Sequence, residues 1–239
     1  VNIVDNPPGF DRFDNAKYWT DTEVDKALDA LRKGHLVLLK GDIGYGLFGT
    51  SKRAIRKMYE IKNRPFSNPC IVIGNMDVLR DVAVLDSSPI EAWIAEQAAW
   101  TTLAVVLPVN PRSRSLGALP PWLYQQTVTR NTIAVFLRTG PYLDIVVERA
   151  FDRGMIFVGS SANHSSTGNR FDFTELPQNI VDNVDFLINH GSCKYVNPER
   201  KATTILNFTN WSVKRRGVNW EELEPSFLAL KAQLDTHAE

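Results

Sequence analysis

The segment richest in chemistry is KNRP, residues 62–65, at the foot of a stretch that also carries Lys52, Arg53, Arg56 and Lys57. Lysine offers a compact charge and arginine a bidentate fork, so Lys62 and Arg64 together could grip a triphosphate or a carboxylate. The same residues equally suit a solvated helix face that complements the helix C-terminal dipole. A second such segment is GSSANHSSTGN, residues 159–169. Its small hydroxyl and amide groups, Ser161 and Asn163 among them, could bond phosphate, ribose or a base edge at the carboxyl end of a strand, although such clusters also build plain turns. His164 lies inside it with no Ser or Asp at a recognisable triad spacing. Asp42 and Tyr45 in GDIGYG could face the same cleft, against the simpler reading of Asp42 as a turn former. No GxxxxGK[ST] loop occurs, and a dinucleotide-type phosphate loop is not expected.

The elements that must position these residues follow from apolar periodicity. Thr20 and Glu23 make a capping-box pattern ahead of Val24, Ala27, Leu28 and Leu31, which share one helical face until Gly34 stops the run. HLVLLK at 35–40 reads as a buried strand, GDIGYG at 41–46 as a glycine-bearing loop at its end, and Ser51 as the N-cap of the basic helix, which Pro65 terminates. CIVIG, TLAVVLP, TIAVFLR and MIFVGS read as further strands, alternating with helices that begin near Ser88 and Pro141. The stretch 111–121, PRSRSLGALPP, lacks periodicity and reads as a mobile surface loop, a candidate lid. DFLINHG, TTILNF and WSVKRRG add short strands, the last two joined by a turn at Thr209 and Asn210, and a helix from about Pro225 to Leu234 ends the pattern.

At 239 residues, with 44% hydrophobic content and six Trp, the sequence has material for one large core. Lysine plus arginine equals aspartate plus glutamate at 27 each, so any polyanion site must be a local cluster. Two cysteines at a spacing unlike zinc ligands suggest no metal site and a reducing compartment, and the absence of an 18-residue apolar run argues against a membrane span. The expectation is a cytoplasmic α/β domain over residues 21–217, an N-terminal appendage at 1–20 and a C-terminal helix within 218–239.

Taken in order, LKGDIGYGL, KNRPFSNPC, FLRTGP, SSAN, ATTILNF and KRRG resemble the YrdC-like family of the threonylcarbamoyl-AMP synthase and YciO type. That family carries PTDTxYGL, KxRPxxxPL, an RxP strand end, SAN, a late STVxD and RPG in the same order. The resemblance implies a twisted mixed β-sheet flanked by helices with a concave basic cleft. It also implies ATP, with Mg²⁺, as the nucleotide, and bicarbonate and an amine such as threonine as co-substrates of a nucleotidyltransferase reaction that yields a carbamoyl-adenylate and pyrophosphate for tRNA modification. Carried over residue by residue, Lys62 and Arg64 become catalytic. Lys62, Arg64, Ser161, Asn163 and Arg215 bind nucleotide, and Asp42, Tyr45, Arg138, Thr203 and Thr204 bind substrate. The departures fall elsewhere: PTDT becomes KGDI, which puts Gly41 and Ile43 where the family has threonines, and Ala104 stands where it has a hydroxyl.

These departures admit a diverged tailoring enzyme that acts on another carbamoyl or amine metabolite, with Lys40 contacting an acidic group. A different class, a non-catalytic double-stranded RNA or tRNA-binding module using the basic helix, rests on the six cations between residues 51 and 64. No aromatic platform interleaves with those charges along the sequence.

Overall fold

The computed structural model describes residues 18–165 and 167–236, together with the backbone of residues 2–5. The expected N-terminal appendage therefore lies largely outside the described residues. What is seen of it is residues 18–20 and a strand, β1 (Asn2–Asp5), paired in parallel with β9 (Phe186–Asn189).

Helix α1 (Asp21–Arg32) starts at Thr20, where the reciprocal capping box with Glu23 is formed. It leads into β2 (Val37–Gly41), and the structure then departs from the sequence expectation. GDIGYG is not a loop running toward a helix. It is a hairpin turn, and β3 (Gly44–Gly49) returns antiparallel to β2, pairing Lys40 with Tyr45 and Gly41 with Gly44. GYGLFG has GxGxxG spacing, but as the strand itself rather than as a strand-to-helix turn. Helix α2 (Lys52–Ile61) follows, capped by the Ser51 hydroxyl.

The remaining strands are β4 (Ile71–Ile73), β5 (Leu103–Pro108), β6 (Val128–Thr129), β7 (Thr132–Leu137), β8 (Phe157–Ser161), β10 (Thr204–Asn207) and β11 (Ser212–Arg215). All join one mixed sheet in the order β1-β9-β2-β3-β8-β4-β7-β5-β10-β11, with β6 as a flap on β7. Arg130 and Asn131 both have positive φ in the two-residue turn between β6 and β7, the geometry that matches the twist of a tight hairpin.

Alternation along the central strands divides the sheet into two faces. On β7, Ile133, Val135 and Leu137 are buried in the core, while Thr132, Ala134 and Phe136 line an open concavity on the other side. On β5, Leu103, Val105 and Leu107 face the core, while Ala104 and Val106 face the concavity. Helix α7 (Pro141–Asp152) packs against α1 and β2, and α3 (Met76–Val82), which the sequence reading missed, packs against β7.

The candidate lid is instead a built segment. Ser113 caps α5 (Arg114–Gly117) and donates its hydroxyl to Asp81 at 2.7 Å, Leu116 and Leu119 are buried, and Pro121 opens α6 (Pro121–Thr127). After a short α8 (Gln178–Val181), the last helix, α9 (Trp220–Thr236), starts five residues before Pro225 and packs on α4 (Ser88–Trp100). Among the described residues no helix is long and apolar enough to cross a membrane.

Candidate functional site

The backbone after α2 separates two cations that the sequence holds together. Lys62 is the C-cap, and Asn63 takes a φ of 49° at the next position. The Asn63 amide donates to Glu60 O at 3.1 Å and the Arg64 amide to Tyr59 O at 2.9 Å, the paired bonds of a Schellman ending with asparagine in the left-handed place. Lys62 consequently turns inward. It is 1% exposed, and its ammonium donates to Ser161 O and, at 2.7 Å, to Asn163 O. Burial, and after it the Arg64 charge, lowers the Lys62 pKa from 10.5 to about 7. The Ser161 hydroxyl donates to Asn163 Oδ1, and the Asn163 amide donates to His164 O at 2.8 Å, so the SAN segment is knotted around the lysine.

Arg64 turns the other way and lines the concavity, a cleft of about 760 Å³, within the size range of small-molecule sites. Its floor is apolar, formed by Ile71, Ile73, Ala104, Ala134 and Phe136, and its edges are polar, with Ser161 at one side and Thr203, Asn207 and Arg215 at the other. Arg64 precedes β4 and Arg215 ends β11, four strands on in the sheet order, or roughly 19 Å at about 4.8 Å per strand. Arg215 Nε donates to Thr203 O at 2.7 Å, and Arg64 donates to Pro69 O at 3.0 Å while its Nε is buried with no hydrogen-bond partner. Arg130 and Lys214 add two further charges to the lining, which includes no aspartate or glutamate. Among the described residues, no carboxylate pairs with Arg64, Arg130, Lys214 or Arg215.

The structure thus brings Tyr45, Arg64, Ser161, Thr203 and Arg215 to one cleft. The other sequence candidates lie off its lining. Lys62 and Asn163 sit in the knot, and Thr204 faces the core, donating to Val218 O at 3.0 Å and accepting from the Gly217 amide. Asp42 is buried in the β2–β3 turn, its amide bonded to Thr139 O at 2.7 Å, and burial pushes its carboxyl up against the pull of Lys194, Lys40 and Arg138. Arg138 is exposed at the end of β7 with a φ of 53°. Tyr45 shows only part of itself to the cleft, since its hydroxyl donates to Gly191 O at 2.8 Å on the far side.

Lys40 does not present its charge to a substrate: it is 8% exposed and donates to His190 O and Ser192 O at 2.9 and 3.0 Å. Gly41, Ile43 and Ala104 do line the cleft. A Cβ on Gly41 would lie 2.8 Å from Thr139 O, so the neighbouring backbone occupies the space a threonine side chain would need. Arg130 and Lys214 were missed as site residues. The turn signal of TRNT between two apolar strands was the available clue to Arg130, and Lys214 stood within KRRG without being singled out.

The order of motifs, the sheet and the cleft together invite comparison with known proteins. The Sua5/YciO/YrdC family model, described as telomere recombination, matches residues 29–217. The chain belongs to this family. A curated relative, threonylcarbamoyl-AMP synthase of Bacillus subtilis, is 28% identical over 149 residues, covering 61% of this chain and 39% of that protein. Among solved structures, P. abyssi Sua5 complexed with L-threonine superposes with a TM-score of 0.61 at 19% identity, over 83% of this chain and 55% of Sua5. E. coli YciO superposes with a TM-score of 0.64 at 18% identity, over 90% of this chain and 93% of YciO. The chain therefore spans well under two thirds of the synthase and of Sua5, and nearly all of YciO. The twisted mixed sheet flanked by helices is the architecture shared with these Sua5/YciO/YrdC proteins.

Proposed function

We propose that the cleft forms a carbamoyl-adenylate: a carbamate, made from bicarbonate and an amine, attacks the α-phosphorus of ATP through oxygen, and the bond to the departing pyrophosphate breaks. The observation that carries this reading is the carboxylate-free cleft bracketed by Arg64 and Arg215, neither of them ion-paired among the described residues. Two guanidinium groups far apart on the sheet suit a ligand with negative charge at both ends, where preorganised donors stabilise developing charge. The curated synthase relative and the threonine-bound Sua5 structure support the same chemistry.

Each residue's part follows from its place. Arg64 and Arg215 neutralise phosphate and carboxylate oxygens, Ser161 and Thr203 offer hydrogen bonds at the two sides, and Lys62 holds the Ser161–Asn163 backbone in position from beneath. The cleft offers hydroxyls and carbonyls but no carboxylate, and no metal-holding cluster of His, Cys, Asp or Glu occurs among the described residues. This donor set does not fit a resident Mg²⁺, which favours carboxylates, so the ion has a place only as the counter-ion of the nucleotide's own phosphates.

A second reading, a changed amine specificity, is favoured by the position of Gly41, Ile43 and Ala104 on the cleft wall and by the close backbone at Gly41. Both readings are tested by following pyrophosphate release from ATP, Mg²⁺ and bicarbonate with threonine and then with a panel of other amines. Threonine-dependent release supports the synthase reaction, and release only with another amine supports the diverged form. No release with any amine, or release unaffected by Arg64→Ala, overturns the carbamoyl-adenylate reading.

A further inference from the structure

The loop that carries Arg64 into the cleft also builds a surface on the outside of the molecule. Phe66 is 47% exposed, and its ring lies 4.9 Å from that of Tyr59 and 5.9 Å from that of Trp122, tilted to the first and edge-on to the second. Tyr59 belongs to α2, Phe66 to the loop after it and Trp122 to α6, so the run exists only in the folded chain. Three cations accompany the three rings. Lys52 Nζ is 6.0 Å from the Trp122 centroid, Arg56 Cζ is 6.0 Å from that of Phe66, and Arg64 Cζ is 5.8 Å from that of Tyr59, at the outer limit of cation–π contact.

Charge on α2 is divided between two tasks. Arg53 and Lys57 both pair with Asp185, at 2.9 and 3.3 Å. Lys52, Arg56 and Arg64, the cations beside the rings, pair with no carboxylate among the described residues, and Glu60, the sole acidic residue of the helix, is in no ion pair there either. Tyr59 is itself buried at 1% exposure, so the surface presents the rings of Phe66 and Trp122 with Lys52 and Arg56 beside them, aromatic groups and unpaired cations brought together in space although not along the sequence.

We propose that this surface binds single-stranded nucleic acid, with an unpaired base stacked on Phe66, backed by Trp122, and with flanking phosphates neutralised by Lys52 and Arg56. The exposed ring decides between strands and duplexes. A duplex hides its base faces and offers this surface only phosphates, whereas an unpaired strand offers both π-faces and charge, the combination used by stacking platforms. The surface shows no group assigned to a 2′-hydroxyl, so the shared chemistry is that of an unpaired polynucleotide, and ribose and deoxyribose strands are compared directly. The inference does not depend on what the cleft catalyses.

The test is anisotropy of labelled 12-nucleotide RNA and DNA single strands and of a hairpin duplex, titrated with the full chain over a series of salt concentrations. Single strands are expected to bind more tightly than the duplex and to quench a part of the tryptophan fluorescence that Trp122→Phe removes. Phe66→Ala should weaken single-strand binding about tenfold without changing the salt slope, and Phe66→Tyr should restore it. Lys52→Ala and Arg56→Ala should each flatten the slope of log K against log salt by about 0.7. Equal or preferred binding of the duplex, no single-strand binding at low salt, or binding indifferent to Phe66→Ala overturns the proposal. Because Phe66 lies outside the cleft lining, Phe66→Ala should leave pyrophosphate release unchanged, which separates failure here from failure of the cleft chemistry.

Discussion

Lys62 and Arg64 are separated by a single residue, Asn63, and the left-handed turn there sends them to opposite environments. The Lys62 ammonium sits in a dry knot of backbone carbonyls, while the Arg64 guanidinium reaches a cleft where no carboxylate answers it. The same charge thus has a structural task on one side of the turn and remains available to a ligand on the other. A buried cation is bound up with folding, and removing it leaves its acceptors unpaired. A cation at a cleft edge is bound up with recognition, and removing it leaves the fold largely intact.

The most damaging substitution should accordingly be Lys62→Ala. It is expected to cost about 3 kcal/mol of stability in urea unfolding, as two charge-assisted bonds are lost, and to abolish pyrophosphate release by loosening the SAN segment. The wild-type protein should also gain stability as the pH rises from about 7 toward 10.5. Across that window the unfolded lysine holds a proton that the folded one has released, and Lys62→Met should flatten the slope. A Lys62 variant that folds as well as wild type would break the comparison.

Arg64→Ala and Arg215→Ala should weaken ATP binding by about tenfold to a hundredfold in calorimetry, with little shift in the unfolding midpoint. Parallel losses of binding and stability would erase the contrast between knot and cleft edge. His190 extends the buried side of the comparison. It is packed between the rings of Tyr18 and Tyr142, and its Nε2 lies 3.5 Å from the buried Glu23 carboxylate without either nitrogen making a well-formed hydrogen bond. Burial lowers its pKa from 6.5 to about 4, against the pull of Glu23 and with the help of Lys40. Its folded value is depressed, so the unfolded chain takes up the proton first, and stability should fall as the pH drops from 6.5 toward 4. His190→Phe should reduce that acid sensitivity in urea midpoints measured across the window.

The smallest effect is expected at Asp185. Burial pushes its carboxyl up, but the Leu36 amide, Arg53 and Lys57 outweigh this and hold it below 3.8. Asp185→Asn should cost about 1 kcal/mol at neutral pH, as half-exposed ion pairs do, and nothing once acid has protonated the wild-type carboxyl.

Elements governed by local chemistry were legible in the sequence. The Thr20–Glu23 capping box, the Ser51 cap and the strands around β5 and β7 could be placed because each depends on residues within a few positions of one another. Strand β3 was not legible, since three glycines in six residues read locally as a loop, and its partners on β8 lie more than a hundred positions away. The order of motifs named five residues that line the cleft, Tyr45, Arg64, Ser161, Thr203 and Arg215, along with five that lie off it, and it was silent on depth. Nothing in KNRP says that Lys62 is buried and Arg64 is not, because that depends on the left-handed residue between them. The ring run of Tyr59, Phe66 and Trp122 was invisible for the same reason as β3: Trp122 arrives from a distant helix.

The strict alternation of β5 and β7 also constrains how such a protein can evolve. Inserting or deleting one residue within Thr132–Leu137 would exchange the cleft floor with the core, turning Ile133, Val135 and Leu137 outward and Ala134 and Phe136 inward. The floor can therefore change only by substitution, one side chain at a time. The cleft edges, where Arg64 and Arg130 sit on turns rather than in the alternating strands, carry no such coupling to the core, and new specificities in this lineage should arise by substitution there.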